Sequence, residues 1–486
     1  MDSIHPVLAV LSRVLAGFSL AFLVPLAWAA GMDEPLHIGV WAGALGLTLA
    51  SAGLLIRVTR VSRRELMPKD GFLLVTLVWV VLPAFSAVPL MFMVPGITWT
   101  IAYFEAMSAL TATGSTALVG LDLLPVSVNV WRCFLQYIGG LGIILLVVAV
   151  LPMLGLGGLQ LYRAETPGPM KDTKLTPRIA ETARGLWTVY FVLSAACLLA
   201  YRWAGMSWAD AFMHMCTTMG LGGFSSHDAS FGHWDSPAIE GVAILFMALS
   251  GISFARYFMV WRNRSALVLW RDTEVRAYVI VLLAATALLS VLLTVHGTYD
   301  SFLSALRAAA FHVVSLATTT GYASADYALW PVFAPVLLIF LGCFASCAGS
   351  TGGGIKMVRM LLLVKQARRE LVRIIHPRVV NPVTLGGTSV SATVLAAVLA
   401  YMLIYGASTI GLTMLLLLSG LDLITAFSAV IVTVNNIGPG LGLVGPSNNF
   451  SGLTDFQLWV CTFAMLLGRL ELLSVMVLFT AQFWRR

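Results

Sequence analysis

Charged residues are scarce in this chain. Asp, Glu, Lys and Arg make up only 10% of its 486 residues, whereas an average soluble domain carries roughly 25%. Hydrophobic residues account for 59%, and uncharged runs such as 14–32 and 35–56 are each long enough to cross a bilayer. The composition therefore excludes an ordinary soluble domain and indicates a polytopic membrane protein.

Signatures of catalysis and of structural metal sites are also missing. There is no His-Glu-x-x-His or Gly-x-Ser-x-Gly motif, and the glycine-rich stretch before Lys356 is not a phosphate loop, because Ile355 separates Gly354 from Lys356. The cysteines lie in apolar segments without metal-ligand spacing, which favours small buried hydrophobes: Cys133, Cys197, Cys216, Cys343, Cys347 and Cys461. A membrane enzyme is therefore disfavoured.

The net charge of +7 does not predict nucleic-acid binding. The basic residues lie in short loops between apolar runs, which is the positive-inside pattern of membrane proteins. These loops predict a multi-pass membrane protein with both termini in the cytoplasm. The sequence Ala27-Trp28-Ala29 leaves open the alternative that the first run is a cleaved signal peptide.

Four segments share a pattern in which a short apolar helix ends in polar residues and a glycine. A phenylalanine lies ten residues before the glycine in the first three segments and eleven before it in the fourth, and the glycines recur roughly every hundred residues, which indicates a fourfold internal repeat. The predicted loops are Thr111, Ala112, Thr113 and Gly114; Met219, Gly220, Leu221 and Gly222; Thr318, Thr319, Thr320 and Gly321; and Asn435, Asn436, Ile437 and Gly438.

Such loops are typical of a potassium selectivity filter. A potassium ion can leave water only where other oxygen atoms replace its hydration shell, and four loops around one axis can supply backbone carbonyls. Glycine permits the positive φ that this backbone needs. The alternative is that each polar cluster merely ends a helix in a membrane bundle.

The predicted fold is an all-α polytopic membrane protein with two extra N-terminal helices and four pseudo-fourfold repeats, each a helix, a pore loop and a second helix. The predicted divisions are 1–69 for the two N-terminal helices, 70–183 for the first repeat with a cytoplasmic connector, 184–273 for the second, 274–378 for the third and 379–486 for the fourth. The second helices of the second and fourth repeats are expected to be continuous over about 241–261 and 456–483.

The second helix of the third repeat is expected to break. Three consecutive glycines each cost roughly 1 kcal/mol in a helix interior, and irregular backbone at membrane depth occurs where it lines a cavity or is buried in protein. We predict a movable constriction below the filter, formed by Gly349, Ser350, Thr351, Gly352, Gly353, Gly354 and Lys356. A tightly packed helix crossing is the alternative.

Arg469 places a positive charge among apolar residues of the last helix. Such a charge usually faces the bundle interior or a water-filled path. It would then stand in the cation route and hinder cations by repulsion. The alternatives are an arginine that reaches out to the membrane interface, or a structural tie to the glycine-rich segment.

Together these motifs resemble the Trk/Ktr/HKT superfamily of potassium transporters, and within it the bacterial TrkH-type membrane subunits. The resemblance covers essentially the whole chain, including the connector at 160–174 and the tract 468–471. It implies filter glycines at Gly114, Gly222, Gly321 and Gly438, and Gly114 favours potassium over sodium. Leu221 departs from the family pattern, which has threonine before the second filter glycine.

The resemblance also implies partners. Members of the superfamily form homodimers and bind a cytosolic ring of RCK-type nucleotide-binding subunits, for which the basic stretches 262–276 and 356–378 are candidate docking surfaces. The transported ion would be K⁺, with no organic cofactor in this chain. The lipid bilayer is a further expected partner, and nucleic acid is not expected to bind.

The predicted mechanism is channel-like entry of potassium through the pore. An inside-negative potential supplies about 2.3 kcal/mol per charge per 100 mV. The alternative is a symporter coupled to H⁺ or Na⁺, with Glu105, His214, His312 and Glu471 as the relay candidates. A purely structural membrane scaffold is a third possibility, which the four loops argue against.

Overall fold

Helices dominate the structure, a computed structural model that describes residues 4–32, 35–59, 67–145 and 175–485. The predicted connector at 160–174 lies outside these residues. The N-terminal part contains α1 (His5–Ser19), α2 (Leu23–Gly31) and α3 (Pro35–Thr59). The first repeat contains α4 (Pro68–Met93), α5 (Trp99–Leu110) and α6 (Val126–Leu145), and the second α7 (Leu175–Ala204), α8 (Trp208–Met219), α9 (Pro237–Ser250), α10 (Phe254–Asn263) and α11 (Leu267–Arg271).

The C-terminal half follows the same order. The third repeat contains α12 (Thr273–Val295), α13 (Phe302–Ala317), α14 (Phe333–Phe344) and α15 (Met357–Ile375). A two-residue antiparallel hairpin, β1 (Thr384–Leu385) with β2 (Thr388–Ser389), leads to α16 (Ala392–Leu418), α17 (Leu423–Val434), α18 (Asp455–Arg469), α19 (Leu473–Met476) and α20 (Ala481–Trp484). In each repeat a long helix is followed by a short pore helix (α5, α8, α13 or α17) and a loop.

Six helical segments in the described part of the chain are long and apolar enough to cross a membrane, and eight if each of two bent pairs counts as one span. This confirms the prediction of an all-α polytopic membrane protein. Helix α7 begins at Leu175, so the predicted boundary at 183/184 falls inside a helix, and α16 begins thirteen residues after the boundary at 378/379.

The expectation of continuous second helices in the second and fourth repeats is wrong. Helices α9 and α10 meet at 85°, and α18 meets the segment Leu473–Phe479 at 108°. The fourth-repeat bend follows from positive φ angles at Glu471 and Leu472, which end the helix after Arg469. In the third repeat the helix breaks as predicted, between Phe344 and Met357.

The N-terminal helices pack on the first repeat. The ring of Phe22 stacks on Trp131 of α6 at 4.5 Å between centroids, and Trp41 of α3 lies 5.6 Å from the same ring. All three side chains are fully buried. The N-terminal helices therefore pack against α4 and α6, the two long helices of the first repeat.

Candidate cation pathway

The four pore helices start in the same way. Each begins after an N-cap residue whose side-chain oxygen accepts a hydrogen bond from the backbone N–H three residues on: Thr98, Ser207, Ser301 and Asp422. Ser, Thr and Asp are the preferred residues at this position. The other end of each helix carries partial negative charge and faces its loop, where it favours a cation.

The four loops also share their backbone conformation. After the last helical turn, one residue adopts a left-handed φ of 50–62°: Ala112, Leu221, Thr319 and Asn436. The next residue donates its N–H to the carbonyl five residues earlier, at 2.8–2.9 Å in all four cases: Thr113, Gly222, Thr320 and Ile437. A glycine with positive φ follows, namely Gly114, Gly223, Gly321 or Gly438.

This shared pattern corrects the predicted alignment of the second loop by one residue. Gly223, not Gly222, has the position of Gly114 and Gly321, and Gly222 has the position of Thr113. The phenylalanine spacing selected the wrong glycine because the second pore helix is one residue longer after its phenylalanine. Phe212 lies eight residues before the C-cap Gly220, whereas Phe104 lies seven residues before the C-cap Thr111. Leu221 therefore does not replace a threonine; it has the left-handed position of Thr319.

The four loops close into a ring, and the glycines are where neighbouring loops touch. A Cβ atom built on Gly114 would lie 2.1 Å from the carbonyl oxygen of Gly222, one on Gly223 would lie 1.9 Å from that of Thr320, and one on Gly321 would lie 2.0 Å from that of Ile437. The ring closes with Gly438, whose Cβ would lie 3.2 Å from the Thr113 oxygen. Each contact runs from one repeat to the next, so all four surround one axis.

Most carbonyl groups of these loops have no hydrogen-bond donor among the described residues. These groups belong to Thr111, Ala112, Thr113, Gly220, Leu221, Thr318, Thr319, Thr320, Asn435, Asn436 and Ile437, all of which are buried. Buried carbonyls are almost always paired in proteins. Three other loop carbonyls do accept hydrogen bonds: Gly222 O from Gln136 Nε2 at 2.8 Å, Met219 O from Thr351 Oγ1 at 3.0 Å and Gly438 O from Ser115 Oγ at 2.9 Å. Such a concentration of unpaired oxygen atoms is suited to replacing the water around a cation.

A polar side chain connects each pore helix to the chain that leaves its loop. Glu105 accepts from the Thr116 hydroxyl at 3.0 Å and from Ala117 N at 3.1 Å. In the second and third repeats, His214 Nε2 bonds to Ser225 Oγ at 3.0 Å and His312 Nε2 accepts from Ser324 N at 3.3 Å. Ser428 Oγ accepts from Leu441 N at 3.0 Å in the fourth.

Arg132 on α6 completes the connection in the first repeat, and sequence reasoning missed it. Its Nε donates to Glu105 at 2.8 Å and its Nη1 to Ser225 O, in the second loop, at 3.3 Å. Arg132 is 1% exposed and Glu105 fully buried. The signal that could have found it is its place at the edge of the uncharged run 133–162, because a charge beside such a run often faces the protein interior.

We expect Glu105→Ala to destabilise the protein and to weaken ion discrimination. Removing one member of a buried ion pair costs roughly 3–5 kcal/mol, because the other charge stays buried without its partner. Thermal unfolding and the K⁺/Na⁺ flux ratio would measure the two effects. Glu240→Ala is the matched control, since Glu240 is buried and pairs at 2.8 Å with Arg307 in the first half of α13, whereas Glu105 binds the chain that leaves its loop. An equal loss of discrimination in both variants would contradict the expectation.

The non-helical segment between α14 and α15 lies directly against the helix-end side of the loops. Gly353 N donates to Thr319 Oγ1 at 2.7 Å, and Thr351 Oγ1 donates to Met219 O at 3.0 Å. A Cβ atom on Gly352 would lie 2.9 Å from Thr318 O, and one on Gly353 would lie 2.1 Å from Asn435 O. The segment therefore touches the second, third and fourth loops at once.

The other predicted residues of this segment anchor it. Gly349 and Gly354 have positive φ, and Gly349 O accepts from Phe254 N at 3.1 Å across the bend between α9 and α10. Ser350 Oγ donates to Cys347 O at 2.7 Å. Lys356 Nζ donates to Gly352 O within the segment.

Arg469 ties this segment to the first repeat. Its Nη1 donates to Thr351 O at 2.9 Å and its Nη2 to Gly139 O at 3.0 Å. The side chain is 3% exposed, and its Nε has no hydrogen-bond partner. No carboxylate of the described residues pairs with it, since Glu471 pairs with Arg359 at 2.5 Å.

The fold and site define a polytopic membrane protein in which four similar loops surround one axis. The sequence model of the TrkH family, described as a cation transport protein, matches residues 42–486. The chain belongs to this family, which confirms the predicted resemblance and a role in transport rather than catalysis.

The chain is similar to other proteins of this family over nearly its full length and theirs. The chain is 45% identical to "Trk system potassium uptake protein TrkH" of Salmonella typhimurium over 90% of this chain and 91% of that protein. It is 42% identical to the protein of the same name from Halomonas elongata over 100% of both chains. The crystal structure of the potassium transporter TrkH from Vibrio parahaemolyticus superposes with a TM-score of 0.92 at 38% identity, and covers 99% of this chain and 100% of that one.

Proposed function

We propose that this protein carries potassium into the cell through a channel-like pore along the axis of the four loops. The observation that carries the proposal is the ring of glycine contacts together with the unpaired buried carbonyls beside it. Carbonyl oxygens of Thr113, Gly222, Thr320 and Ile437, with those of the two preceding residues in each loop, would replace the hydration shell of the ion. The names of the relatives supply the ion.

Channel-like passage is favoured over symport because each of the four candidate relay residues binds its own partner outside the relay. Glu105 pairs with Arg132, and Glu471 pairs with Arg359. His214 and His312 each use Nδ1 on a carbonyl of their own helix and Nε2 on the departing chain. Among the described residues, none of these four groups hydrogen-bonds to another of them, and each is held by a partner of its own.

Purified protein in liposomes separates the two mechanisms. We expect Rb⁺ uptake to follow an imposed inside-negative potential and to remain unchanged when a pH or Na⁺ gradient is imposed at constant potential. Uptake that requires either gradient would establish symport instead. Absence of Rb⁺ flux under every condition would remove the transport proposal.

The segment 349–356 would act as the gate. It lies across the helix-end side of the loops, so an ion that leaves the filter meets it first. Its glycines fit closely against Thr318 O and Asn435 O, and small movements would open or close this contact. The resting position is held by Arg469 and by the bonds of Lys356 and Ser350.

Orientation and partners are part of the same proposal. The acidic residues Asp122, Asp228 and Asp235 lie on the side of the protein where the pore helices begin. The basic residues Arg262 and Arg271 lie near the C-terminal ends of α10 and α11, on the opposite side. By the positive-inside rule, the filter mouth would lie outside a bacterial inner membrane, and the basic helices α10, α11 and α15, with the start of α12, would lie at the cytoplasmic face. Homodimers and a cytosolic RCK-type nucleotide-binding subunit would assemble there, on the stretches 262–276 and 356–378.

A further inference from the structure

A cluster of two histidines and a carboxylate lies at the mouth of the proposed pore and has no part in the filter. Asp122 is in the 3₁₀ turn Leu121–Leu123 that follows the first loop. His227 follows the second loop, and His233 ends the 3₁₀ turn Ser230–His233. One ligand atom from each of the three side chains lies within 4.8 Å of the other two.

The cluster is accessible but preorganised. Asp122 and His233 are exposed, whereas the side chain of His227 is 17% exposed and bonds through Nδ1 to Asp122 Oδ1. Asp122 Oδ2 accepts from Asp228 N at 3.1 Å, and the rings of His227 and His233 stack at 3.6 Å and 7°. His227 Nε2 is buried and makes no hydrogen bond, although Asp210 Oδ1 is 3.4 Å away.

We propose that these residues form a binding site for a divalent transition-metal ion of the zinc type that bridges the first two repeats. Imidazole and carboxylate ligands suit Zn²⁺, Co²⁺ and Ni²⁺, whereas Mg²⁺ and Ca²⁺ prefer oxygen ligands alone. Asp122 supplies one negative charge directly and Asp210 a second nearby. Three protein ligands leave the fourth tetrahedral position for water, so the ion would exchange with the medium.

Binding requires only local movement. Zinc–nitrogen bonds of about 2.0–2.1 Å place neighbouring ligand atoms of a tetrahedral site about 3.3 Å apart. The ion would replace the hydrogen bond between His227 and Asp122, and the exposed ring of His233 would turn out of the stack. Because Asp122 and His227 follow neighbouring filter loops, a bound ion would clamp both loops and place positive charge at the entrance, which slows potassium entry.

Zinc titration of the purified protein tests the site without reference to transport. We expect isothermal titration calorimetry to give one zinc ion per chain, with Co²⁺ competing and Mg²⁺ not competing. Asp122→Asn and His233→Ala should each weaken binding at least tenfold, which is the scale for changes around a metal. His296→Ala is the matched control, because His296 is an exposed histidine after α12 on the same face. Absence of binding, or equal binding by all four proteins, would overturn the site.

The effect on transport rests on the proposed function. Zinc on the filter-mouth side should lower Rb⁺ uptake several-fold in the wild type and in His296→Ala, reversibly on chelation, and should have little effect on the two ligand variants. Unchanged wild-type uptake at saturating zinc would overturn the inhibitory role. Loss of uptake in every sample without zinc would count against the pore, whereas calorimetry would still decide the metal site.

Discussion

Serine at Gly223 is expected to remove potassium discrimination, whereas serine at Gly222 is expected to retain most of it. The Cβ atom at Gly223 would lie 1.9 Å from the Thr320 carbonyl oxygen, and the backbone there has φ +76°. Neither the neighbouring backbone nor the left-handed conformation can adapt cheaply. At Gly222 the three nearest atoms to the Cβ would belong to the end of the Gln136 side chain, at 2.3–2.8 Å. A side-chain amide can shift more cheaply than backbone, although this one would have to adjust its bonds to Gly222 O and Phe224 N.

The K⁺/Na⁺ flux ratio in liposomes is the measurement. We expect this ratio to fall at least tenfold in Gly223→Ser and in Gly321→Ser. A Cβ atom at Gly321 would lie 2.0 Å from Ile437 O. Gly120→Ser controls for positive φ alone, because Gly120 has φ +74° and its nearest neighbour is a side-chain atom at 3.9 Å. If Gly222→Ser proved as damaging as Gly223→Ser, the assignment of the second loop would have to be abandoned.

Arg469→Ala is expected to raise potassium flux about tenfold or more. Arg469 holds Thr351 O and Gly139 O together, and a hydrogen bond to a charged group contributes about 1.5–3 kcal/mol. Losing one such bond shifts a two-state equilibrium at least tenfold. The segment 349–356 would then leave the axis more often, and Rb⁺ flux at fixed potential would report the change.

Arg469→Lys separates the two roles of the arginine. Lysine keeps the positive charge but lacks the planar fork that reaches two carbonyls at once. If the hydrogen bonds of Arg469 to Thr351 O and Gly139 O limit the flux, as the geometry supports, the lysine variant should also conduct faster than the wild type. Flux that stays at the wild-type level with lysine and rises only with alanine would show that charge repulsion limits the current.

Some features of the fold can be predicted from a few neighbouring residues, because their physical causes act within a single segment of the chain. A bilayer demands long apolar helices, and the scarcity of charge made them visible. Serine, threonine or aspartate at each pore-helix start is a cap that needs no tertiary contact. The break before Lys356 was predictable because three glycines destabilise a helix wherever they occur.

Other features were decided by contacts between distant residues. Gly220, Gly222 and Gly223 are nearly equivalent in sequence, and only the carbonyl of Thr320, almost a hundred residues later, requires the small residue to be Gly223. The pairing of Glu105 with Arg132 and the bonds of Arg469 to Thr351 and Gly139 likewise join groups that are far apart in the sequence.

The sequence alone thus determined that this is a helical membrane protein with four similar glycine-bearing segments and a helix that breaks before Lys356, because hydropathy and glycine content act over a few residues. Only the tertiary structure decided which glycine of the second segment meets its neighbour and what Arg469 holds. Those outcomes depend on distances between chain segments that converge on one axis, and no local pattern encodes such distances.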